Sequence, residues 1–129
     1  MANSVLPNDS TLRSLGAGAK AGPEFDQAFG KYIRGVQALS DQWYQRSPNQ
    51  APVMEFEVGP KYIRVVRRDP VNYGGGGSVH SFVDRTNGNI LKGSWKSPVK
   101  NGVRGNIFSD DNGLSRVNWH GPIYLRGGM

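Results

Sequence analysis

Residues 78–95 read SVHSFVDRTNGNILKGSW, and the architecture of the chain follows from them. Apolar and polar residues alternate on both sides of Asp84-Arg85-Thr86-Asn87-Gly88-Asn89, and Asn87 and Gly88 tolerate the positive φ that a short hairpin loop needs. A period of two around such a turn predicts two antiparallel strands, Ser78 to Asp84 and Asn89 to Trp95. Placing Asp84 opposite Asn89 sets Phe82 against Leu91, Val83 against Ile90 and Ser81 against Lys92. One face then carries Phe82, Leu91 and Trp95, and the other Val79, Ser81, Val83, Ile90 and Lys92.

The same period extends upstream. Val53 to Val58 and Tyr62 to Arg68 are rich in β-branched and aromatic residues between turn signals and read as two further strands. Before them the period changes. From Pro23 to Arg46, Phe25, Phe29, Tyr32, Ile33, Val36, Leu39 and Trp43 recur at helical spacing, with Pro23 in the first turn and Glu24 and Asp26 placed to meet the helix dipole. Phe29, Ile33, Val36 and Trp43 are expected to bury this stripe against Ile63, Val65 and one face of the hairpin; Phe82 and Trp95 read as core rings rather than stacking platforms. Residues 1–22 hold only scattered Val5, Leu6, Leu12 and Leu15, which predicts a flexible arm ahead of a single domain over residues 23–129. After Lys96, Pro, Gly, Asn and Asp dominate between isolated apolar anchors, so this part is expected to wrap irregularly over the sheet or to add a short strand. The fold class that results is α+β: one amphipathic helix on an antiparallel sheet of roughly three to five strands.

With 129 residues the chain is long enough for one domain with its own core. It has no cysteine, which removes disulfides, thiolate metal sites and cysteine nucleophiles together. Residues 1–22 lack the charged start and apolar run of a signal peptide, and no stretch reaches the ~20 apolar residues of a membrane span, so no membrane partner is expected.

Charge is distributed unevenly. Between Lys61 and Arg104 nine cations face only Asp69 and Asp84, whereas residues 1–60 and 105–129 are close to neutral. A basic block that also reads as strands is the electrostatic footprint of a polyanion partner, most often nucleic acid. Within it, alternation sends Tyr62, Arg64, Val66 and Arg68 to one side, so two arginines share a face with a ring. Cations that follow phosphates, with rings that accept stacked bases, are what a sequence-tolerant single-strand binder needs. The candidate binding residues are therefore Lys61, Tyr62, Arg64, Arg68, Arg85, Lys92 and Lys96. The competing reading is a solvated sheet face whose arginines serve solubility and blunt an edge.

Other motifs carry less. Gly74 to Gly77 is followed by neither Lys-Ser nor Lys-Thr and leads into a strand, so it reads as a loop, not a phosphate cradle. His80 and His120, the only histidines, have no ligand-like spacing with other residues; no metal and no cofactor are expected. A carboxylate nuclease is a minor alternative, because Glu55, Glu57, Asp69, Asp84 and His80 all fall on or beside strands. Ser109 to Gly113 lacks alternating oxygen ligands and reads as a turn.

The run Phe82 to Lys92, with Ser94, Trp95, Lys96 and then Val103 to Ile107, resembles small uncharacterised proteins of tailed bacteriophages over roughly the second half of the chain. This resemblance implies a viral protein acting in the host cytoplasm during infection, or packaged in the virion. One long helix with a basic sheet is also similar in architecture to the PC4 and Whirly single-stranded DNA-binding folds, although here the helix precedes the strands.

Together these readings predict a non-enzymatic protein that binds single-stranded DNA or RNA through a charged sheet face. The alternative is a structural or interaction component of a virion or phage-host complex. A homo-oligomer is among the expected states, since a small domain with a separate apolar tail often completes its core with a second copy.

Overall fold

The computed structural model describes residues 14–71 and 74–123, with the side chains at 100 and 101 outside that description. The helical period does produce a helix, α1 (Pro23–Tyr44), with Pro23 in its first turn and Glu24 and Asp26 beside its positive end. Phe25, Phe29, Tyr32, Ile33 and Val36 are buried along one face. Each such side chain contributes roughly 1.5–3 kcal/mol on leaving water.

Five strands follow: β1 (Val53–Val58), β2 (Tyr62–Arg68), β3 (Gly77–Asp84), β4 (Asn89–Gly93) and β5 (Pro98–Asn106). They form one sheet in sequence order, every pair antiparallel. In the hairpin Phe82 pairs with Leu91 and Val83 with Ile90, as the alternation requires. Its turn closes through Gly88 N donating to Asp84 O at 2.8 Å, and Gly88 takes φ 81°, a conformation that a side chain would strain. Asp84 is buried and its Oδ1 accepts both the Thr86 N–H and the Thr86 hydroxyl.

Helix and sheet make two layers. Ile63, Val65, Val83 and Ile90 join the helix stripe in one core, together with Met54, Phe56 and Ile107. Phe82 and Leu91 are also buried, but their register places them on the opposite, outer face. One irregularity changes the expected faces. Val65 pairs with Ser81 and Val66 with Val79, which leaves His80 as an extra residue in β3. The bulge turns Val79 to the outer face and brings His80 to the core side beside Ser81.

Three other expectations are corrected. The flexible arm does not extend to residue 22: Leu15 is 2% exposed within the core, and its N–H donates to Asp26 Oδ1 at 2.8 Å. Residues 1–13 lie outside the described residues. Trp43 is not part of the buried stripe; it is 62% exposed, because the last turn of α1 runs beyond Ser40, the last buried residue of that face. Trp95 is not a core residue either. Strand β4 ends at Gly93, the chain reverses with Ser94 N donating to Ser97 O, and Trp95 sits exposed at the hairpin tip.

The segment after Lys96 is more regular than its composition indicates, since Pro98–Asn106 is a full edge strand. Its proline is the first residue and its pairing with β4 shifts register twice, which is how an edge strand accommodates Pro and Gly. Beyond it, Ser109 to Gly113 forms the predicted turn, with Asp111 Oδ1 accepting Gly113 N–H. Leu114 packs on the core, Val117 is buried, and the short strands β6 (Val117–Asn118) and β7 (Gly121–Pro122) pair with each other. At the opposite edge of the sheet, Gln37 of α1 clamps the chain entering β1: its Oε1 accepts Met54 N–H at 2.7 Å and its Nε2 donates to Pro52 O at 3.0 Å. A side chain thereby satisfies backbone groups that an edge would expose.

Candidate nucleic-acid interface

Outward-facing residues of β2 and the turns at the end of the sheet meet in a cleft of about 510 Å³. Lys61 comes from the β1–β2 turn, Tyr62 and Arg64 from β2, and Lys96 from the β4–β5 turn, with Phe82 as floor. Among the described residues Glu57 is the one acid that lines it. The Tyr62 ring meets Phe82 edge-on at 6.3 Å, and Lys61 Nζ lies 5.5 Å from the Tyr62 ring centre.

Arg64 organises this cleft. Its guanidinium carbon is 5.7 Å from the Phe82 ring and 5.4 Å from Trp95, while Nη1 donates to Glu57 Oε1 at 3.0 Å and Nη2 to Trp95 O at 2.9 Å. The pairing with Glu57 follows from register, since the two residues are direct cross-strand partners. Gly93 permits the hairpin tip to fold down: a Cβ there would stand 2.5 Å from Phe82 Cε1 and 2.7 Å from the Ser97 carbonyl. Trp95, 46% exposed, is thereby carried to the rim beside Arg64.

Of the seven residues expected to bind, four share this cleft: Lys61, Tyr62, Arg64 and Lys96. Arg68 lies on the same face farther along β2, with Nε 3.5 Å from Glu55 Oε1. Arg85 is used inside the fold, where it donates to the carbonyls of Leu15 at 2.7 Å, Gly59 at 2.8 Å and Pro60 at 3.1 Å. Lys92 follows outward-facing Leu91 in β4, so alternation assigns it to the other face. Sequence reasoning leaves Trp95 out of the site because a ring at the end of an alternating run reads as core. The hairpin-tip signal was present in Gly93-Ser94 before it and Ser97-Pro98 after it.

The carboxylates and histidine weighed for a nuclease do not converge. Glu55 and Glu57 pair with Arg68 and Arg64 on the outer face, whereas His80 packs on the helix side. Among the described residues no group of three or more His, Cys, Asp or Glu is placed to hold a metal ion. The glycine loop turns from strand to strand, with Gly74 N donating to Val71 O and Asp69 N to Gly76 O. Asn72 and Tyr73 lie outside the described residues. No described helix is long and apolar enough to cross a membrane.

His80 instead belongs to a buried polar chain. Its Nε2 lies 2.8 Å from Asn118 O, its Nδ1 2.9 Å from Ser81 Oγ, and Ser81 Oγ lies 2.7 Å from the Tyr32 hydroxyl. A carbonyl only accepts, so Nε2 carries the hydrogen, Nδ1 accepts from Ser81, and Ser81 accepts from Tyr32. Burial holds His80 down at about 4, the Asn118 hydrogen bond opposing and nearby Arg67 and His120 adding to the effect. Burial pushes the Tyr32 phenol well above its ordinary value, against the Ser81 hydrogen bond. Ser81 and His80 are 0% and 2% exposed, so their contact is structural and closed to a substrate.

The fold and cleft define a small α+β protein whose antiparallel meander is covered on one face by a single helix. Residues 25–125 match the model of DUF7717, a family of unknown function, and the chain belongs to that family. Comparison with curated proteins and with solved structures returned no match.

Proposed function

We propose that this protein binds single-stranded or unwound nucleic acid without catalysis, through the outer-face cleft. The observation that carries this reading is the meeting of Lys61 and Arg64 from one segment with Lys96 from another, around the ring of Tyr62 and beside Trp95. Phosphates would follow the lysines, and a base would stack on a ring at the rim. Arg64 acts here chiefly as a scaffold, because its guanidinium already holds Glu57 and the Trp95 carbonyl.

The lysines are therefore the informative residues. Both are exposed. Lys61→Ala combined with Lys96→Ala is expected to weaken binding to an unstructured oligonucleotide and to lower the salt slope by about 0.7 for each lost single-strand phosphate contact. The denaturant midpoint should barely move, since exposed substitutions usually stay within about 0.5 kcal/mol. Tyr62→Ala is expected to cost roughly 1–3 kcal/mol of binding with little change in that slope. Wild-type protein that fails to bind single-stranded DNA or RNA at low salt would overturn this reading and leave the structural or interaction component in its place.

A further inference from the structure

A second recess lies on the helix side of the molecule, separate from the outer-face cleft. It is a groove of about 630 Å³ between the last turns of α1 and the end of β6, lined by Leu39, Gln42, Trp43, Gln45, Arg46 and Trp119 among others. That is within the size range of small-ligand sites. Its wall is an aromatic stack. Trp43 lies over Trp119 with ring centres 5.4 Å apart and planes 21° apart.

Trp119 is held on several sides. Tyr44 and His120 meet it edge-on at 5.5 and 5.0 Å, and the Arg67 guanidinium carbon lies 5.0 Å from its ring centre. The platform is therefore built before any ligand arrives. Trp43, the outer member of the stack, is 62% exposed. A side chain of that size normally buries its rings, so its exposure at the wall of a recess marks a contact surface.

Charge selects the ligand. Arg46 lines the groove, Arg67 stands behind Trp119, and none of the described lining residues is acidic. A cation that would otherwise suit stacked indoles is repelled by two guanidinium groups. A flat electron-poor ring with a negative tail meets neither objection. Gln42 and Gln45 add amide donors and acceptors of the kind that read a base edge.

We propose that this groove binds a nucleotide, its base continuing the Trp43–Trp119 stack and its phosphate on Arg46. The ligand chemistry is the same for a free mononucleotide and for one unit of a strand, and the two sources are separable by experiment.

A Trp95→Phe protein leaves Trp43 and Trp119 as its only indoles, so tryptophan fluorescence reports on the groove. Saturable quenching by adenosine monophosphate is expected if the source is a free nucleotide. Quenching by a short oligodeoxythymidine and not by mononucleotides supports the same site with a strand as its source. In either case Trp43→Ala should weaken binding about 5- to 150-fold, the factor corresponding to loss of one base–aromatic stack. Arg46→Ala should remove most of the salt dependence. Adding Lys61→Ala and Lys96→Ala should leave the quenching intact even where it abolishes oligonucleotide capture by the cleft, which distinguishes failure of one site from failure of the other. Far-UV circular dichroism of Trp43→Ala is expected to match the parent, because the ring is largely outside the core. The proposal is overturned if neither ligand quenches, if Trp43→Ala binds as tightly as the parent, or if the lysine substitutions abolish the signal.

Discussion

Leu15→Ala is expected to destabilise the protein by roughly 2–5 kcal/mol, the range for removing a buried leucine whose site only partly collapses. Composition alone assigns Leu15 to an arm with no stake in the fold. Its side chain is nevertheless 2% exposed and belongs to the same core as Phe25 and Ile107. The segment that carries it is anchored by polar contacts as well. Ser14 Oγ accepts Gly22 N–H at 2.7 Å, Asp26 Oδ1 accepts Leu15 N–H, and Arg85 donates to Leu15 O and accepts at its own carbonyl from Ala17 N–H. Arg85 thereby ties the segment to the β1–β2 turn through Gly59 and Pro60. Urea unfolding of Leu15→Ala and the parent measures the effect. A loss below about 1 kcal/mol would mean that residues 14–22 are peripheral.

Stability is also expected to fall in mild acid by about 3 kcal/mol from His80 alone. Its folded-state value near 4 lies below the ordinary 6.5, so between those values the unfolded chain binds more protons than the folded one. The contribution is complete above about pH 6.5 and is lost as pH falls from there to about 4, each pH unit of separation being worth 1.36 kcal/mol. The structural reason is burial: His80 is 2% exposed, so an imidazolium there loses its hydration. A proton on Nδ1 would also displace the Ser81 hydrogen that this nitrogen accepts. Denaturant midpoints from pH 7.5 to 4.5 test the slope, with His80→Gln as the reference for the carboxylates that titrate in the same range. An equal pH slope in both proteins would remove His80 as its source.

Much of the fold was legible from local pattern. The helix begins where Pro23 stands, and β1, β2 and the start of β4 begin at the residues the alternation marks. Strand β5 was hidden because Pro98, Gly102 and Gly105 lower strand propensity, and an edge position tolerates them for reasons outside their own sequence. The cleft was half legible. Lys61, Tyr62 and Arg64 are close neighbours in the chain, but Lys96 and Trp95 reach them only because the β4–β5 turn folds over Phe82 at Gly93.

Period and turn chemistry act over a few residues, so local pattern is enough to specify the helix stripe, the strand alternation, the Phe82–Leu91 register and the one-sided basic block. What those elements meet is set by packing between distant parts of the chain. That packing places Leu15 in the core, leaves Trp43 outside it on Trp119, commits Arg85 to backbone carbonyls and turns His80 inward at a bulge. Each outcome depends on partners distant in the chain, and burial and pairing energies are set by which surfaces come together rather than by the residue type alone.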